Sequence, residues 1–442
     1  MESILEKLTS LAKRRGLIFQ NSEIYGGLAS TWDYGPIGAE LKKNIKDYWW
    51  NYHVHMRDDI VALDSSILSL NKVWETSGHV KNFSDPLLEC KECNARFRAD
   101  ILENTKGVCP TEKCSNSHFA DPREFNMMFK TNIGPVVSDT SEIFLRPETA
   151  QGIFVNFENI INTSRKKIPF GVAQIGKAFR NEITTGNFIF RTREFEMMEI
   201  EYFVKPEDSE KYYKEWIDGS MEFILSLNIN KSNLRIREHS KEDLSHYSKG
   251  TSDIEYKFPW GWAELQGIAN RGSFDLDAHS KSASKNFTIF EESTKSRYTP
   301  HVIEPSIGVD RLLLITLLDA YNEEKLESKE GKRTVLKLSP KISPIKIAIL
   351  PLSKDPQLSE LSKKIQKDLI NKGNLGKIEY DETQSIGKRY RRQDEIGTPY
   401  CVTIDFETIN DNSVTIRHRD SMDQERININ DLSQKLTSEI YN

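Results

Sequence analysis

Residues 170–204 decide the fold of this chain, and they read FGVAQIGKAFRNEITTGNFIFRTREFEMMEIEYFV. Residues 170–179 and 194–204 are both strand-like, and a polar turn at 184–187 lies between them. The second strand alternates acidic and apolar residues, which predicts several carboxylates along a sheet, namely Glu194, Glu196, Glu199 and Glu201. Strand, loop and returning strand together predict a hairpin of an antiparallel sheet.

The sequence on both sides of this hairpin predicts helices and further strands. Apolar residues at helical spacing predict helices over 2–13, 36–50, 149–161 and 207–227, and a buried helix that begins near Gly308. Further strands are predicted at 59–70, 233–238, 253–258 and 262–269. An antiparallel sheet with flanking helices is an α+β fold.

The chain of 442 residues is too long for one compact core. Residues 322–344 are rich in Lys, Glu, Ser and Pro and mark a boundary. Strands and helices alternate after this boundary, which predicts a C-terminal α/β module. We therefore predict one domain over 1–340, with insertions at about 88–121 and about 205–260, and a second domain over 345–442.

Charge and composition exclude some classes of protein. With 61 basic and 66 acidic residues the formal charge is −5, which favours neither a polyanionic partner nor its absence. The N-terminus lacks a signal pattern, and the longest apolar run, Leu312–Leu318, is too short to span a bilayer. The sequence therefore predicts a cytoplasmic protein with no membrane partner.

Four of the five cysteines lie in one short stretch, which reads Cys90-x2-Cys93, then Cys109-x4-Cys114. This spacing is close to a four-thiolate zinc pattern, although the last gap is longer than the usual two residues. Such a zinc ion is structural, because four thiolates leave no open coordination position. The alternative is a cluster of reduced free thiols. Cys401, on a predicted strand, is expected to be a buried small apolar residue.

Two arginines have positions that suit a phosphate ligand. Arg180, in FRNE, lies at the end of a strand, where a guanidinium neutralises charge that builds up on a phosphate. Arg311, in EPSIGVDR, falls in the first turn of a helix, where the helix dipole disfavours a cation unless an anion or a ring compensates it. The alternatives are a surface ion pair for Arg180, and an ion pair with Asp310 or Glu304 for Arg311.

These two elements resemble motifs 2 and 3 of the class II aminoacyl-tRNA synthetases, and the flanking sequence resembles the homodimeric glycyl-tRNA synthetases. The matching segments span nearly the whole chain and are YGPIGAELKKNIKDYWW from Tyr34, VWETSGH from Val73, RPETAQGIF from Arg146, FRNE from Phe179, RTREFEMMEIEYF from Arg191, WAELQGIANRGSFDLDAH from Trp262, EPSIGVDR from Glu304 and KRYRRQDEIGTPY from Lys388. The departures are few, and the clearest is Asn71, where a proline is expected.

The resemblance implies a catalytic domain built on an antiparallel sheet of about seven strands, with the Cys-rich stretch as an inserted subdomain. It also implies a C-terminal α/β anticodon-binding domain and a homodimer formed through motif 1. The implied reaction has two steps. ATP and glycine give glycyl-adenylate and pyrophosphate, and glycine then passes to the 3′-terminal adenosine of tRNA(Gly) with release of AMP.

The resemblance assigns roles to the ATP-binding residues, with Mg²⁺ as the metal that accompanies ATP. Arg180 contacts the α-phosphate, Glu182 the adenine amino group and Phe195 the adenine ring. Arg311 contacts the other ring face or the γ-phosphate, and Glu264 holds magnesium. Arg180, Glu264 and Arg311 are the predicted catalytic residues. The full predicted ATP site is Arg180, Asn181, Glu182, Phe190, Arg191, Thr192, Arg193, Glu194, Phe195, Glu264, Leu265, Gly308, Val309, Asp310 and Arg311.

Glycine has no side chain to grasp, so selectivity for it must come from exclusion of larger amino acids. The resemblance places Glu148, Glu199 and Ser306 around the glycine ammonium group, and a sheet ion-pair network is the alternative for the two glutamates. The predicted glycine site is Arg98, Glu148, Phe195, Glu196, Met197, Met198, Glu199, Glu304, Pro305, Ser306, Ile307 and Gly308.

The basic run that begins at Lys388 combines cations with an aromatic ring that stacks on an unpaired base. Its place in the C-terminal module predicts tRNA contacts at Arg389, Tyr390, Arg391 and Arg392, whereas composition alone predicts a solvated face. Two other functions stay open at this point. One is a synthetase for another small amino acid, and the other is a catalytically inactive, synthetase-like nucleic-acid-binding protein.

Overall fold

The computed structural model describes residues 3–99, 102, 105–111, 114–136, 141–183, 186–240, 249–325 and 332–441. Thr184 and Thr185 of the predicted polar turn therefore lie outside the described residues. The described α-helices, in chain order, are α1 Ile4–Arg14, α2 Pro36–Trp50, α3 Asn71–Thr76, α4 His79–Asn82, α5 Ala150–Val155, α6 Phe157–Ser164, α7 Ser209–Ser226, α8 Phe274–Ala283, α9 Val309–Ala320, α10 Pro356–Asn371, α11 Ile386–Ile396, α12 Thr408–Asp411 and α13 Ile429–Tyr441. Across these ranges no helix combines the length and the apolar character needed to cross a bilayer.

The described strands, in chain order, are β1 Ile18–Gln20, β2 Trp32–Tyr34, β3 Ile60–Ala62, β4 Ser84–Glu89, β5 Arg96–Arg98, β6 Arg123–Asn126, β7 Lys130–Asn132, β8 Glu142–Phe144, β9 Phe170–Phe179, β10 Glu194–Val204, β11 Leu234–Glu238, β12 Gly250–Phe258, β13 Gly261–Gly272, β14 Ile289–Glu291, β15 Ser296–Tyr298, β16 His301–Gly308, β17 Tyr321–Lys325, β18 Lys332–Leu336, β19 Ile347–Pro351, β20 Ile378–Tyr380, β21 Tyr400–Ile404, β22 Ser413–His418 and β23 Gln424–Asn428.

The largest sheet has seven strands in the order β11-β12-β13-β16-β10-β9-β3. All neighbouring strands are antiparallel except β3, which pairs in parallel with β9. The hairpin predicted from residues 170–204 is therefore confirmed as β9 and β10, near one end of the strand order. Residues 205–260, predicted as an insertion, supply α7 and the strands β11 and β12, and these two strands belong to the main sheet.

Apolar side chains from helices and strands form two cores on this sheet. The larger core joins residues of α1, α2, α7 and α9 to the strands, for example Leu8, Leu41 and Leu314. The smaller core joins α5, α6 and α8 to β9 and β10 through Phe154, Phe170 and other residues. Side chains that alternate along β10 reach opposite faces, and Met198 and Ile200 lie in the larger core.

The Cys-rich stretch lies beside a small three-stranded sheet in the order β5-β4-β6. Its core is small and consists of Leu88, Cys90, Phe97 and Cys109 with a few partly buried neighbours.

The C-terminal module is a five-stranded sheet in the order β20-β19-β21-β22-β23. The strands β20, β19 and β21 are parallel, whereas β22 and β23 are antiparallel additions at one edge. This agrees with the predicted α/β arrangement, although the sequence patterns missed β23 and α13. Residues 424–428 read QERIN, which has too few apolar residues to mark a strand, and their pairing with β22 forms it.

The boundary region predicted at 322–344 contains regular structure, which corrects that prediction in part. Strands β17 and β18 pair antiparallel there, and Arg333 of β18 is buried. Arg333 donates to Asp394 of α11 at 2.7 Å, so the hairpin is bound to the C-terminal module. Strand β17 begins directly after α9 ends, so the same hairpin is also joined to the helix whose first turn carries Arg311.

Candidate active site

A cavity of about 620 Å³ lies on one face of the seven-stranded sheet. Strand β10 contributes Phe195, Met197 and Glu199, and β16 contributes alternate residues from Glu304 to Gly308. Since side chains alternate across a strand, these residues share one face while their neighbours share the other. The cavity therefore lies over the centre of the sheet.

Most residues predicted to bind ATP line this one cavity. They are Arg180, Glu182, Phe190, Arg191, Thr192, Phe195, Glu264, Leu265, Gly308, Asp310 and Arg311. Asn181, Arg193, Glu194 and Val309 are not among its described lining residues. Glu194 forms an ion pair with Lys177, Arg193 donates to the carbonyl of Ala29 at 2.8 Å, and Val309 is buried in the core.

Arg180 is held at the cavity by backbone and ring contacts. Its Nε donates to the carbonyl of Pro147 at 3.1 Å, and its guanidinium lies 5.3 Å from the ring centroids of both Phe83 and Phe195. A guanidinium packed against two rings loses little further freedom when it binds an anion. The geometry favours a phosphate contact over the surface ion pair that was the alternative.

Arg311 contacts Glu264 rather than the acids considered from the sequence. Its Nη1 lies 3.2 Å from Glu264 Oε2 and donates to the Glu264 carbonyl at 3.0 Å. The guanidinium also lies 4.6 Å from the ring centroid of Phe190. Arg311 lowers the pKa of the Glu264 carboxyl, and Arg180 and Arg191 act in the same direction, so Glu264 is ionised at neutral pH.

Asp310 lines the cavity, but both of its oxygens already accept hydrogen bonds. Oδ1 accepts from Lys42 at 2.8 Å and from the hydroxyl of Tyr34, and Oδ2 accepts from the backbone N–H of Glu196 at 3.1 Å. Its predicted role as an ATP ligand stays a prediction, and in the structure its oxygens serve contacts within the protein. Asp310 joins α2 and β10 to the first turn of the helix that carries Arg311.

Two residues of the predicted glycine site, Glu199 and Ser306, lie in one transverse row of the sheet. Glu199 is paired with Ser306, Ser306 with Gly267, and Gly267 with Asp253. Ser306 Oγ donates to Glu199 Oε1 at 2.9 Å, and Thr149 Oγ1 donates to Glu199 Oε2. These two hydroxyls hold the buried Glu199 carboxylate in one orientation.

Glu148 faces the same cavity and is held from a different segment. His79 Nε2 lies 3.1 Å from Glu148 Oε2, and Gln151 donates to Oε1 at 3.0 Å. Burial raises the pKa of Glu148, but His79, Arg271 and Gln151 together outweigh burial and hold the pKa well below its usual value. Glu148 is therefore an anion at neutral pH.

Several residues predicted for the glycine site lie elsewhere. Met198 and Ile307 lie in the apolar core, and Glu196 pairs with Lys46 at 2.8 Å, because these positions alternate with those that face the cavity. Pro305 likewise alternates with Glu304 and Ser306 and is not among the described lining residues. Arg98 is also outside the lining, and its Nη1 pairs with Asp85 at 3.1 Å.

The cavity also contains residues to which the sequence patterns assigned no role. They are Gly78, His79, Asn82, Phe83, Ile189, His239, Thr251, Asp253, Gly267, Ile268 and Ala269. His79 carried a usable signal, because it lies in the segment VWETSGH that matched the family. His239 pairs with Asp253 at 2.7 Å, and no pattern in the sequence joins these two residues.

The four clustered cysteines converge as the spacing predicted. Their Sγ atoms all lie within 4.8 Å of one another. Cys90 and Cys114 have sulfurs 3.7 Å apart, and so do Cys93 and Cys109. A disulfide needs a sulfur separation of about 2.05 Å, so neither pair is bonded. Cys401 is buried on β21, as predicted.

The basic run lies on α11, and its residues differ in exposure. Arg389 is buried and donates to the carbonyls of Pro351 and Asp381, so it is not available to a large ligand. Tyr390 is half-buried, and its hydroxyl hydrogen-bonds Thr403 at 2.5 Å. Arg392 pairs with Asp381. Within the described part of the chain, Arg391 is exposed and has no ion pair.

Comparison with known proteins identifies two regions of the chain. Residues 129–320 match the model of the tRNA synthetase class II core domain (G, H, P, S and T), and residues 346–439 match the anticodon binding domain. The glycine–tRNA ligase of Thermobifida fusca (strain YX) is 51% identical and covers 99% of this chain and 98% of its own length. Those of Acetivibrio thermocellus and Borrelia garinii subsp. bavariensis are both 53% identical, over 98% and 99% of this chain and 97% and 98% of their own lengths.

Proposed function

Because the chain belongs to the glycine–tRNA ligases, we propose that its cavity joins glycine to ATP and then delivers the glycyl group to the 3′-terminal adenosine of tRNA(Gly). The reaction gives glycyl-adenylate and pyrophosphate in the first step and AMP in the second. The proposal is carried by one observation, namely that Arg180, Arg311 and the held carboxylate of Glu199 line a single cavity.

The proposed ATP subsite lies between Arg180 and Arg311. The attacking glycine carboxylate is already ionised, so the site must align the reactants and neutralise charge rather than remove a proton. Arg180 suits the α-phosphate, where negative charge grows during attack. Glu182 is buried, and its Oε2 lies 3.7 Å from Arg191 Nη1 but accepts no hydrogen bond from the described residues, so it suits the amino group of adenine.

Glu264 is the residue that suits a magnesium ion bound together with ATP. Its side chain is about half exposed at the cavity, and it is ionised. Magnesium is usually held by one or two carboxylates plus phosphate oxygens, and this single carboxylate fits that arrangement. When bound, the ion would screen the charge of the phosphates.

The proposed glycine subsite selects by exclusion. The ammonium group pairs with Glu199 and Glu148, whose orientations are held by Ser306, Thr149 and His79. Rigid acceptors that close around the ammonium leave a methyl or hydroxymethyl group without space, which penalises alanine and serine.

Amino-acid-dependent exchange of pyrophosphate into ATP tests this function. Glycine should support exchange, and alanine and serine should give kcat/KM values lower by about a hundredfold or more. A preference for alanine or serine would assign the chain to another small-amino-acid synthetase. No exchange with any amino acid, with tRNA still bound, would favour the inactive binding protein.

We propose that the chain has two domains, at 1–340 and 345–442. We also propose that the second of them, the C-terminal module, contacts the tRNA. Lys388 and Arg391 are exposed on α11 and offer cations to the RNA backbone. Because the ligase serves protein synthesis, we propose that it works in the cytoplasm.

We also propose that the chain forms a homodimer through the segments around α2. Apolar side chains are exposed in the segments that precede and follow α2 in the sequence, namely Ile24, Tyr25, Leu28, Met56, Leu68 and Leu70. Light scattering should then give twice the chain mass of 51.0 kDa.

A structural zinc ion in the cysteine cluster is a further part of the proposal. A tetrahedral zinc ion with Zn–S bonds of about 2.3 Å places its sulfurs about 3.8 Å apart. In the cluster, the two sulfurs within each of two pairs are 3.7 Å apart, and this separation fits a tetrahedral zinc site. The ion would hold together a stretch whose apolar core is small.

We expect the purified protein to contain about one zinc ion per chain by elemental analysis. Cys109→Ser should lose this zinc and lower the melting temperature of the protein, because the cluster loses a ligand. Cys401→Ser is the matched control, since Cys401 is buried but far from any other cysteine in the sequence, and it should keep the zinc. Protein isolated without metal and with four freely titratable clustered thiols would contradict the zinc proposal.

A further inference from the structure

Glu201 is a fully buried carboxyl group to which the reaction described above assigns no role. It lies on β10 two residues after Glu199, so both side chains leave the same face of the sheet. Its exposed fraction is 0%, and neither of its oxygens accepts a hydrogen bond from the residues that the structure describes. Buried carboxylates without any donor are rare, because they lose their hydration without compensation.

The groups that face Glu201 are mostly acidic. One of its carboxyl oxygens lies within 4.8 Å of an oxygen of Glu199 and of an oxygen of Glu304, and both of these residues are buried. Arg271 is the cation that acts on Glu201, and its charge lowers the pKa of that carboxyl group. The Arg271 guanidinium donates to Asp275 at 2.7 Å and 2.9 Å and to Glu304 at 2.9 Å. A negative charge on Glu201 would therefore lie against two carboxylates, while Arg271 hydrogen-bonds Glu304 and Asp275.

Electrostatics agrees with this geometry. Burial raises the pKa of Glu201 well above its usual value, and Glu304 raises it further. Burial also raises the pKa of Glu304, although Arg271 opposes this effect. When two carboxyl groups lie this close in a buried site, the charge of one raises the pKa of the other, which favours a proton held between them.

We propose that Glu201 is a neutral acid whose O–H donates to the carboxylate of Glu304, and that this hydrogen bond positions the acidic wall of the glycine subsite. Glu201 is thus a positioning residue and does not itself contact glycine. The proton removes one negative charge from the cluster, so Glu304 and Glu199 stay close together behind Ser306. The inference rests on the proposed function, since it concerns how the same subsite holds the ammonium group.

Two substitutions distinguish a requirement for the proton on Glu201 from a requirement for its negative charge. Glu201→Gln keeps the size and a hydrogen-bond donor but can never ionise, whereas Glu201→Leu keeps a similar volume without a donor. In pyrophosphate exchange at pH 8, we expect Glu201→Leu to raise the KM for glycine by about thirtyfold or more, with the KM for ATP changed by less than about threefold. Glu201→Gln should raise the KM for glycine by no more than about threefold.

The outcomes are distinct. Equal increases in the KM for glycine in the two variants would overturn the proposal, because the ionised carboxylate would then be what the site needs. A normal KM for glycine in Glu201→Leu would overturn it as well, since no positioning role would be left. If the wild-type protein shows no glycine-dependent exchange, the proposed function itself fails.

Infrared spectroscopy of the folded wild-type protein tests the proton independently of activity and of the folding of variants. At pH 8 we expect the carbonyl stretch of a protonated carboxylic acid, which is distinct from carboxylate bands, and the band should shift in deuterium oxide. If no such band is found, Glu201 is ionised and the inference is wrong.

Discussion

Arg180→Ala is expected to lower kcat/KM for glycine-dependent pyrophosphate exchange by about a thousandfold, which amounts to loss of measurable activity. The physical reason is that alanine removes the guanidinium held between Phe83 and Phe195, and the cavity then lacks its cation for the α-phosphate. Removal of one well-placed donor to a developing anion typically costs two to three powers of ten. Because charge develops in the transition state, kcat should fall more than the KM for ATP rises.

Arg391→Ala is the matched control, because it also removes one arginine side chain. Arg391 is exposed on α11 in the C-terminal module, away from the lining of the cavity. Exchange should therefore stay at the wild-type rate, while charging of tRNA weakens and becomes less sensitive to salt. If the two variants weakened exchange to the same extent, the division of labour between the domains would be wrong.

Asp394→Ala is expected to lower the free energy of unfolding of the C-terminal module by about 3–5 kcal/mol. Asp394 is buried and accepts from Arg333 at 2.7 Å and from Arg417 at 2.9 Å and 3.1 Å. Alanine removes the carboxylate that two buried guanidinium groups share. Arg333 keeps its ion pair with Glu324 at 2.6 Å, so the uncompensated desolvation falls mainly on Arg417. Urea titration followed by circular dichroism measures the change.

Asp420→Ala provides the comparison for this effect. Asp420 pairs with Arg419 at 2.7 Å, but its side chain is 56% exposed, so water replaces the lost contact. We expect a change of about 0–1 kcal/mol in the free energy of unfolding. Similar small changes in both variants would show that the Asp394 cluster does not hold the module together. A loss of exchange activity in Asp394→Ala would in addition show that the β17–β18 hairpin transmits the disturbance to α9 and Arg311.

Local patterns were sufficient to predict most elements of the fold. The alternation in EFEMMEIEYFV predicted β10, and apolar spacing predicted α2, α7 and α9 to within a few residues. These features depend on the spacing of apolar residues and on residue type, and both can be read from a short stretch of sequence. Patterns failed where tertiary contacts form an element, as in the polar strand β23 and the β17–β18 hairpin.

The candidate site likewise has features that the sequence indicated and features that only the folded chain shows. Arg180, Arg311, Glu199 and Ser306, which the ordered motifs indicated, line one cavity, and the cysteines with the zinc-like spacing form a cluster. The alternation of β10 already implied two faces, yet only the folded sheet shows that Glu199 lines the cavity while Glu196 pairs with Lys46. The folded chain also shows that Arg389 is buried and that Asp310 binds Tyr34 and Lys42.

The sequence by itself therefore determined the family, the order of the elements and the residue types of the candidate site, because these are properties of neighbouring positions along the chain. Only the tertiary structure decided which of those residues share a cavity, which are used in internal hydrogen bonds, and which buried acid lies without a donor. The reason is physical. Burial, charge pairing and the protonation of a carboxyl group depend on side chains that are far apart in sequence and close in space.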